Sequence, residues 1–200
     1  TAVASEKFNV GDTDMTSQLA KLRSAGVETA LVWAQGTPIG QLMRSMDKIG
    51  YFPTVLTSWA ADNLSFINAA GPELAEKPIF LRTVSEDRTP HQQAFFDRIR
   101  PKLDADSAFS FAVHGYDSTV LLAAAMKQAG KTDGAAIRAA LEDLKEKVEG
   151  YAKTYERPFS RTEHEGLTAA DQRWTCWRNG KLAAYRDEVV QNLQEGDFKG

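Results

Sequence analysis

The stretch Thr29-Ala30-Leu31-Val32-Trp33-Ala34-Gln35-Gly36-Thr37-Pro38-Ile39-Gly40-Gln41-Leu42-Met43-Arg44-Ser45-Met46-Asp47-Lys48-Ile49-Gly50 decides the fold. The five residues after Thr29, Ala30 to Ala34, are apolar, the pattern of a strand buried on both faces. Thr37 is a good helix cap and Pro38 suits a first helical turn. Ile39, Leu42, Met43, Met46 and Ile49 then form one helical stripe, and Gly50 supplies the stop. Working outward, Asp14 caps an earlier helix with Met15, Leu19 and Leu22 on one face, ended by Gly26. Downstream, Pro53–Thr57 reads as a strand. A short helix follows from Asp62 or Asn63 to Ala70, stopped at Gly71-Pro72, and then a strand at Pro78–Thr83. Strand, helix, strand, helix, strand at this spacing predicts βαβ units and a parallel sheet.

From Pro90 to Lys147 the pattern is helical only: His91–Ile99, then Ser107 or Ser110 to Ala129 with Gly130 as its stop, then Asp133–Lys147. Val113, Val120, Leu121, Leu122 and Met126 need a covering surface, and this block offers no strand to supply it. Either the helices pack on the first block or the sheet they belong to is missing. Arg173–Arg178, Asn179-Gly180 and Lys181–Tyr185 read as a hairpin with an Asn-Gly turn. Residues 188–200 are a polar tail expected to fray.

The chain has 200 residues, 42% of them hydrophobic and 26% charged, and a net charge of −3. The length is long for one core and short for two. The acidic balance argues against a nucleic-acid partner, and no apolar run approaches the roughly 20 residues of a membrane span. One cysteine, Cys176, excludes an internal disulfide and a cysteine-based zinc cage. It falls in a strand, as a buried and inert thiol. The start, Thr1 onward, reads as the interior of a longer chain rather than as a signal peptide.

No catalytic signature emerges. His91, His114 and His164 show no metal-ligand spacing. Asp117 and Ser118 lie three and four residues from His114 on one helix, ordinary neighbours rather than a nucleophile and its base. There is no G-x-S-x-G, G-x-G-x-x-G or Walker sequence. Gly36-Thr37-Pro38-Ile39-Gly40 opens a helix after a strand, where it can act as an anion cradle or as an ordinary βα turn. Gln35-Gly36-Thr37 and Ser58–Asp62 sit where open α/β sheets bind ligands, beyond the carboxyl ends of their strands. There Trp59 offers either a flat apolar wall or core packing, and Gln, Thr and Ser offer orienting hydrogen bonds.

Phe8–Leu19, the strand with Trp33, Gly40-Gln-Leu-Met-Arg44, Ala112–Ser118 heading a long helix, and Phe159–Leu167 before the Asn179-Gly180-Lys181 hairpin resemble, in order and spacing, the periplasmic solute-binding proteins of branched-chain amino-acid type ABC transporters. The resemblance covers about residues 3 to 187. It implies a type I periplasmic-binding-protein fold, in which two α/β lobes close on a ligand at a hinge. Residues 1–88 then resemble a nearly complete second lobe. Residues 89–148 resemble helices of the first lobe, whose sheet is missing, and 149–187 the return crossing and terminal hairpin. It further implies a non-enzymatic periplasmic protein with no cofactor and no metal. Its partners would be a small-molecule ligand, an ABC permease, and the missing N-terminal half or a second chain. A ligand-sensing regulator of the same fold is the alternative, and an α/β enzyme with its catalytic residues elsewhere a weaker one.

Carried over residue by residue, Gln35 takes the place of a loop side chain that is often aromatic. Trp59 stands where amino-acid binders keep an acid for the ligand ammonium, and Phe111 where an apolar ring meets the ligand. The candidate ligand-binding set is Gln35, Gly36, Thr37, Ser58, Trp59, Phe111 and His114. An indole cannot replace a carboxylate facing a buried ammonium. The expected ligand is therefore a carboxylate with an aromatic or branched apolar body rather than an ordinary amino acid.

Overall fold

The computed structural model describes residues 2–84, 86–105 and 108–187; Ser107 and the polar tail from 188 lie outside them. The chain divides into two compact units, Thr1–Arg82 with Trp174–Gly200, and Thr83–Arg173. The first cut falls six residues before the boundary read from the sequence, and residues 149–173 group with the helices rather than with the terminal hairpin.

In the first unit helix α1 (Thr16–Ser24) precedes strand β1 (Thr29–Val32), α2 (Gly36–Ile49), β2 (Thr54–Thr57), α3 (Leu64–Ala70), α4 (Pro72–Ala75) and β3 (Ile79–Arg82). The hairpin β6 (Arg173–Arg178) and β7 (Lys181–Ala184) completes a five-stranded sheet of order β1-β2-β3-β6-β7. β1, β2 and β3 run parallel, in register from Thr29 opposite Thr54 and from Leu56 opposite Ile79; β6 and β7 are antiparallel. Asn179 and Gly180 take positive φ, 51° and 70°, as the two-residue turn demands. This is the parallel α/β architecture that the alternation of elements predicts.

Its core joins Met15 and Leu19 of α1, Ile39, Leu42, Met43 and Met46 of α2 and Phe66 of α3 to Val32, Val55, Phe80 and Trp177 on one sheet face. The opposite face corrects the reading of a strand buried on both sides. Leu31 is 77% and Trp33 73% exposed, because β1 ends the strand order and the α1–α2–α3 core lies only on the Val32 side. Helix α2 also starts before the expected Thr37 cap. Gln35 is its N-cap residue and Gly36 its first helical residue.

Gly36 and Gly40 explain that start. A Cβ at Gly36 would lie 2.5 Å from Asn63 Oδ1 and Ser65 Oγ; one at Gly40 would lie 2.5 Å from Ala69 Cβ and 2.9 Å from Phe66 O. The helix is therefore seated against α3 along a face with no side chains.

In the second unit α5 (Pro90–Ile99) is opened by a reciprocal cap between Thr89 and Gln92. Next come α6 (Phe109–Ala129), stopped by Gly130 at φ 66°, and α7 (Gly134–Glu142), capped by Asp133. The last of these ends five residues before the expected Lys147. Gln128 of α6 donates to the Ala140 and Asp143 carbonyls and accepts from the Lys145 amide, so the terminal groups of α7 are met from α6. Beyond it β4 (Val148–Glu149) pairs antiparallel with β5 (Thr154–Tyr155), a ladder the sequence reading did not give.

The helices find two cores. Leu121, Ala125, Ala140 and Leu144 pack with Val148 and Tyr155, and Phe95, Phe109 and Val113 with Val84. The buried Asp117 carboxylate ties α6 to the hairpin. It accepts from the Tyr151 amide (2.6 Å), the Ala152 amide (2.9 Å) and the Tyr155 hydroxyl (3.0 Å). Burial and the Asp117 charge hold the Tyr155 phenol well above its usual titration range.

Two substitutions separate these constraints. Gly40→Ala forces α2 from α3 and is expected to lose about 1–3 kcal/mol of stability in urea denaturation. Gly115→Ala on α6, where a Cβ meets open space, is expected to gain about 0.5–1 kcal/mol.

Candidate functional site

The candidate residues fall on both units. In the first unit β1 and β2 end side by side, joined by the Thr57 hydroxyl donating to Val32 O at 2.8 Å. The chain beyond each strand delivers an indole. Trp33 and Trp59 meet edge to face, with centroids 6.0 Å apart and planes at 80°, a favoured aromatic geometry. Trp59 is 49% exposed, so it is not core filling. Trp33 is absent from the sequence-derived set, where it reads as strand interior. Strand alternation was the available signal: Leu31 and Trp33 share the face opposite Ala30 and Val32.

Gln35 and Thr37 are exposed beside this corner, whereas Gly36 is buried. The role of Gly36 is steric, since it admits the Asn63 and Ser65 side chains beneath the head of α2. The amides of Gly36 and Thr37 head the helix, and Pro38 has none to offer.

Ser58 is buried and its hydroxyl accepts the Ala60 amide at 3.3 Å, shaping the one-turn 3₁₀ helix Trp59–Ala61. Trp177 Nε1 donates to Ala61 O at 2.9 Å, and Asn63 Nδ2 to Ala60 O at 2.7 Å while its Oδ1 caps α3. The acid nearest to Trp59 in sequence is Asp62. Its Oδ2 accepts from Arg82 Nε at 2.6 Å, with both side chains wholly buried.

In the second unit Phe111 is 44% exposed on α6. His114, one turn on, is half-buried and its Nε2 is hydrogen-bonded to the Thr83 hydroxyl, so one ring nitrogen already has a partner. His91 stacks on Tyr151 and His164 faces Glu142. Among the described residues no group of three or more His, Cys, Asp or Glu is placed to hold a metal, and no helix is long and apolar enough to cross a membrane. Cys176 is buried, its thiol pushed up by burial.

An open parallel sheet with an aromatic corner at the carboxyl ends of adjacent strands is the architecture of a ligand-binding α/β domain. The profile of the periplasmic binding protein family matches residues 1–171, and the chain belongs to that family. Among solved structures it is similar to a type 1 periplasmic binding protein from Bordetella pertussis Tohama I: 22% identity, TM-score 0.74, covering 92% of this chain and 52% of that one. It is also similar to a leucine binding protein from Thermotoga maritima (18%, TM-score 0.70, 90% and 49%) and to a branched-chain amino-acid ABC transporter protein from Thermus thermophilus with bound valine (15%, TM-score 0.63, 91% and 51%). The fold is thus that of the type I periplasmic binding proteins, and the chain spans about half the length of the structures it matches. No curated protein matches it in sequence.

The half-buried position of His114 can be tested in solution. Burial lowers its pKa from the ordinary 6.5, against the opposing pull of Asp117. A base with a depressed folded pKa contributes stability above its unfolded pKa and loses it as pH falls through the folded one. Urea midpoints are expected to drop as pH falls below about 6.5, and His114→Gln to flatten that part of the profile.

Proposed function

We propose that the chain is the C-terminal part of an extracytoplasmic solute-binding protein of an ABC importer. Residues 1–88 and 149–187 are read as second-lobe segments and 89–148 as first-lobe helices. The full-length protein takes up a small carboxylate with an aromatic or branched apolar body and closes on it about a hinge; the closed form is what a permease recognises. It performs no chemistry on its ligand. Family membership and the likeness to binders of leucine and valine support the general role.

The ligand class rests on one observation, the Trp33–Trp59 corner standing beside an acid that is already engaged. An α-amino acid brings an ammonium that needs a charged partner when buried. Asp62, the acid closest to Trp59 in sequence, lies wholly buried against Arg82. A cation–π contact with an indole returns only about 1–2 kcal/mol. Indole faces instead favour a flat or branched apolar body, with Gln35 and Thr37 exposed beside them to orient a carboxylate. Phe111 is read as a further apolar contact. His114, engaged by Thr83, is read as support for the α6 backbone around Phe111.

Titration calorimetry of the full-length protein is expected to give saturable binding of cinnamate or benzoate and no measurable heat with leucine. Trp59→Ala is expected to weaken aromatic-acid binding about tenfold, the size of one lost aromatic contact. Tight leucine binding without aromatic-acid binding overturns the ligand class.

A further inference from the structure

Four side-chain contacts at the turn Trp59–Ala61, beside its backbone hydrogen bonds, differ in kind. Ser58 Oγ with the Ala60 amide and Asn63 Nδ2 with Ala60 O are local, within three residues. Trp177 Nε1 with Ala61 O joins the turn to β6, where the indole belongs to the unit's core. The fourth, Asp62 with Arg82, is a full ion pair between side chains wholly removed from solvent. Buried ion pairs are weak devices for stability, because desolvation offsets most of the attraction and an apolar pair of similar volume serves as well. What such a pair provides is direction: a short charged hydrogen bond at 2.6 Å fixes the relation of two backbone segments where apolar contacts leave it loose.

The segments it relates are specific ones. Asp62 lies three residues after Trp59 and closes the turn that presents the indole. Arg82 is the last residue of β3 and of the first unit's N-terminal segment, and the next residue, Thr83, begins the second unit and is hydrogen-bonded to His114 of α6. We infer that Asp62 and Arg82 are a positioning pair, which fixes the Trp59 turn to the end of β3. The inference rests on the reading of Trp59 as a ligand wall for its functional meaning, while the positioning itself is measured without any ligand.

Trp33 and Trp59 are close enough for their indole transitions to couple, and the part of the circular dichroism spectrum that Trp33→Phe removes reports their mutual orientation. Removing one partner takes from the other the charge it faces, so the main variant removes both: Asp62→Leu with Arg82→Met in the full-length protein. In this folded double variant the Trp33-dependent band is expected to fall at least twofold, and cinnamate affinity about tenfold, with the urea midpoint unchanged. Arg82→Lys, which keeps a cation opposite Asp62, is expected to retain the band. Asp62→Asn, which keeps the shape without the charge, is expected to lose part of it and decides the matter if the double variant does not fold. A band left whole in the folded double variant or, failing that, in Asp62→Asn overturns the inference. So does a band lost equally in Arg82→Lys, because side-chain volume and not pairing would then set the turn. If the wild-type protein binds no cinnamate but the band responds as stated, the positioning pair stands and the ligand reading falls. Binding of cinnamate with a band indifferent to the pair gives the reverse.

Discussion

The closeness of α2 to α3 and to the turn before it is the constraint on which the rest of the first unit depends. Gly36 and Gly40 lie one helical turn apart, and at both a methyl group would stand 2.5 Å from its nearest neighbour. Because they are glycines, the head of α2 settles over Asn63 and Ser65, and its second turn over Ala69 and Ala70. The ends of β1 and β2, paired up to Val32 and Thr57, lie side by side at the same end of the sheet, with Trp33 and Trp59 beyond them in contact. The glycines weaken the helix locally, since each costs roughly 1 kcal/mol of helix propensity relative to alanine. The apolar face of Ile39, Leu42, Met43 and Met46, fully packed into the sheet and α3, offsets that.

Polar groups then refine what the apolar packing permits. In the first unit Thr57, Ser58, Asn63 and the Asp62–Arg82 pair occupy the end of the sheet where the indoles emerge. In the second, Asp117 gathers two amides from the β4–β5 turn and the phenol of Tyr155 in β5, with Gly150 leaving no side chain in its way. Both sites place a carboxylate among donors inside the protein, an arrangement that is stable only when every partner is present.

Much of this was legible in the sequence, and the misses have physical causes. The alternation of apolar runs with capped, periodic helices gave the parallel sheet, and Asn179-Gly180 gave the terminal hairpin with its turn. The family resemblance, carried by ordered short motifs, agreed with the profile match. Apolar content alone could not tell that Leu31 and Trp33 face outward, because a strand covered on both faces and an edge strand covered on one present the same run of residues; only neighbours distinguish them. The end of α7 was misjudged because its cap is the side chain of Gln128, far away in sequence. β4 and β5 escaped because two-residue strands carry no periodicity. At the candidate site, the place of Trp59 beyond a strand end is legible from the sequence. Trp33 was hidden by the same burial assumption, and the engagement of Asp62 by Arg82, 20 residues on, lay beyond any local pattern.

The borrowed cap on α7 has a consequence for how the second unit comes apart. A helix that carries its own cap can fray and re-form alone. Here the last carbonyls of α7 and the Lys145 amide are satisfied by one amide side chain on α6, and the same two helices share the Leu121–Leu144 core. Melting either helix withdraws the partner of the other, so the pair opens as one cooperative block rather than end by end.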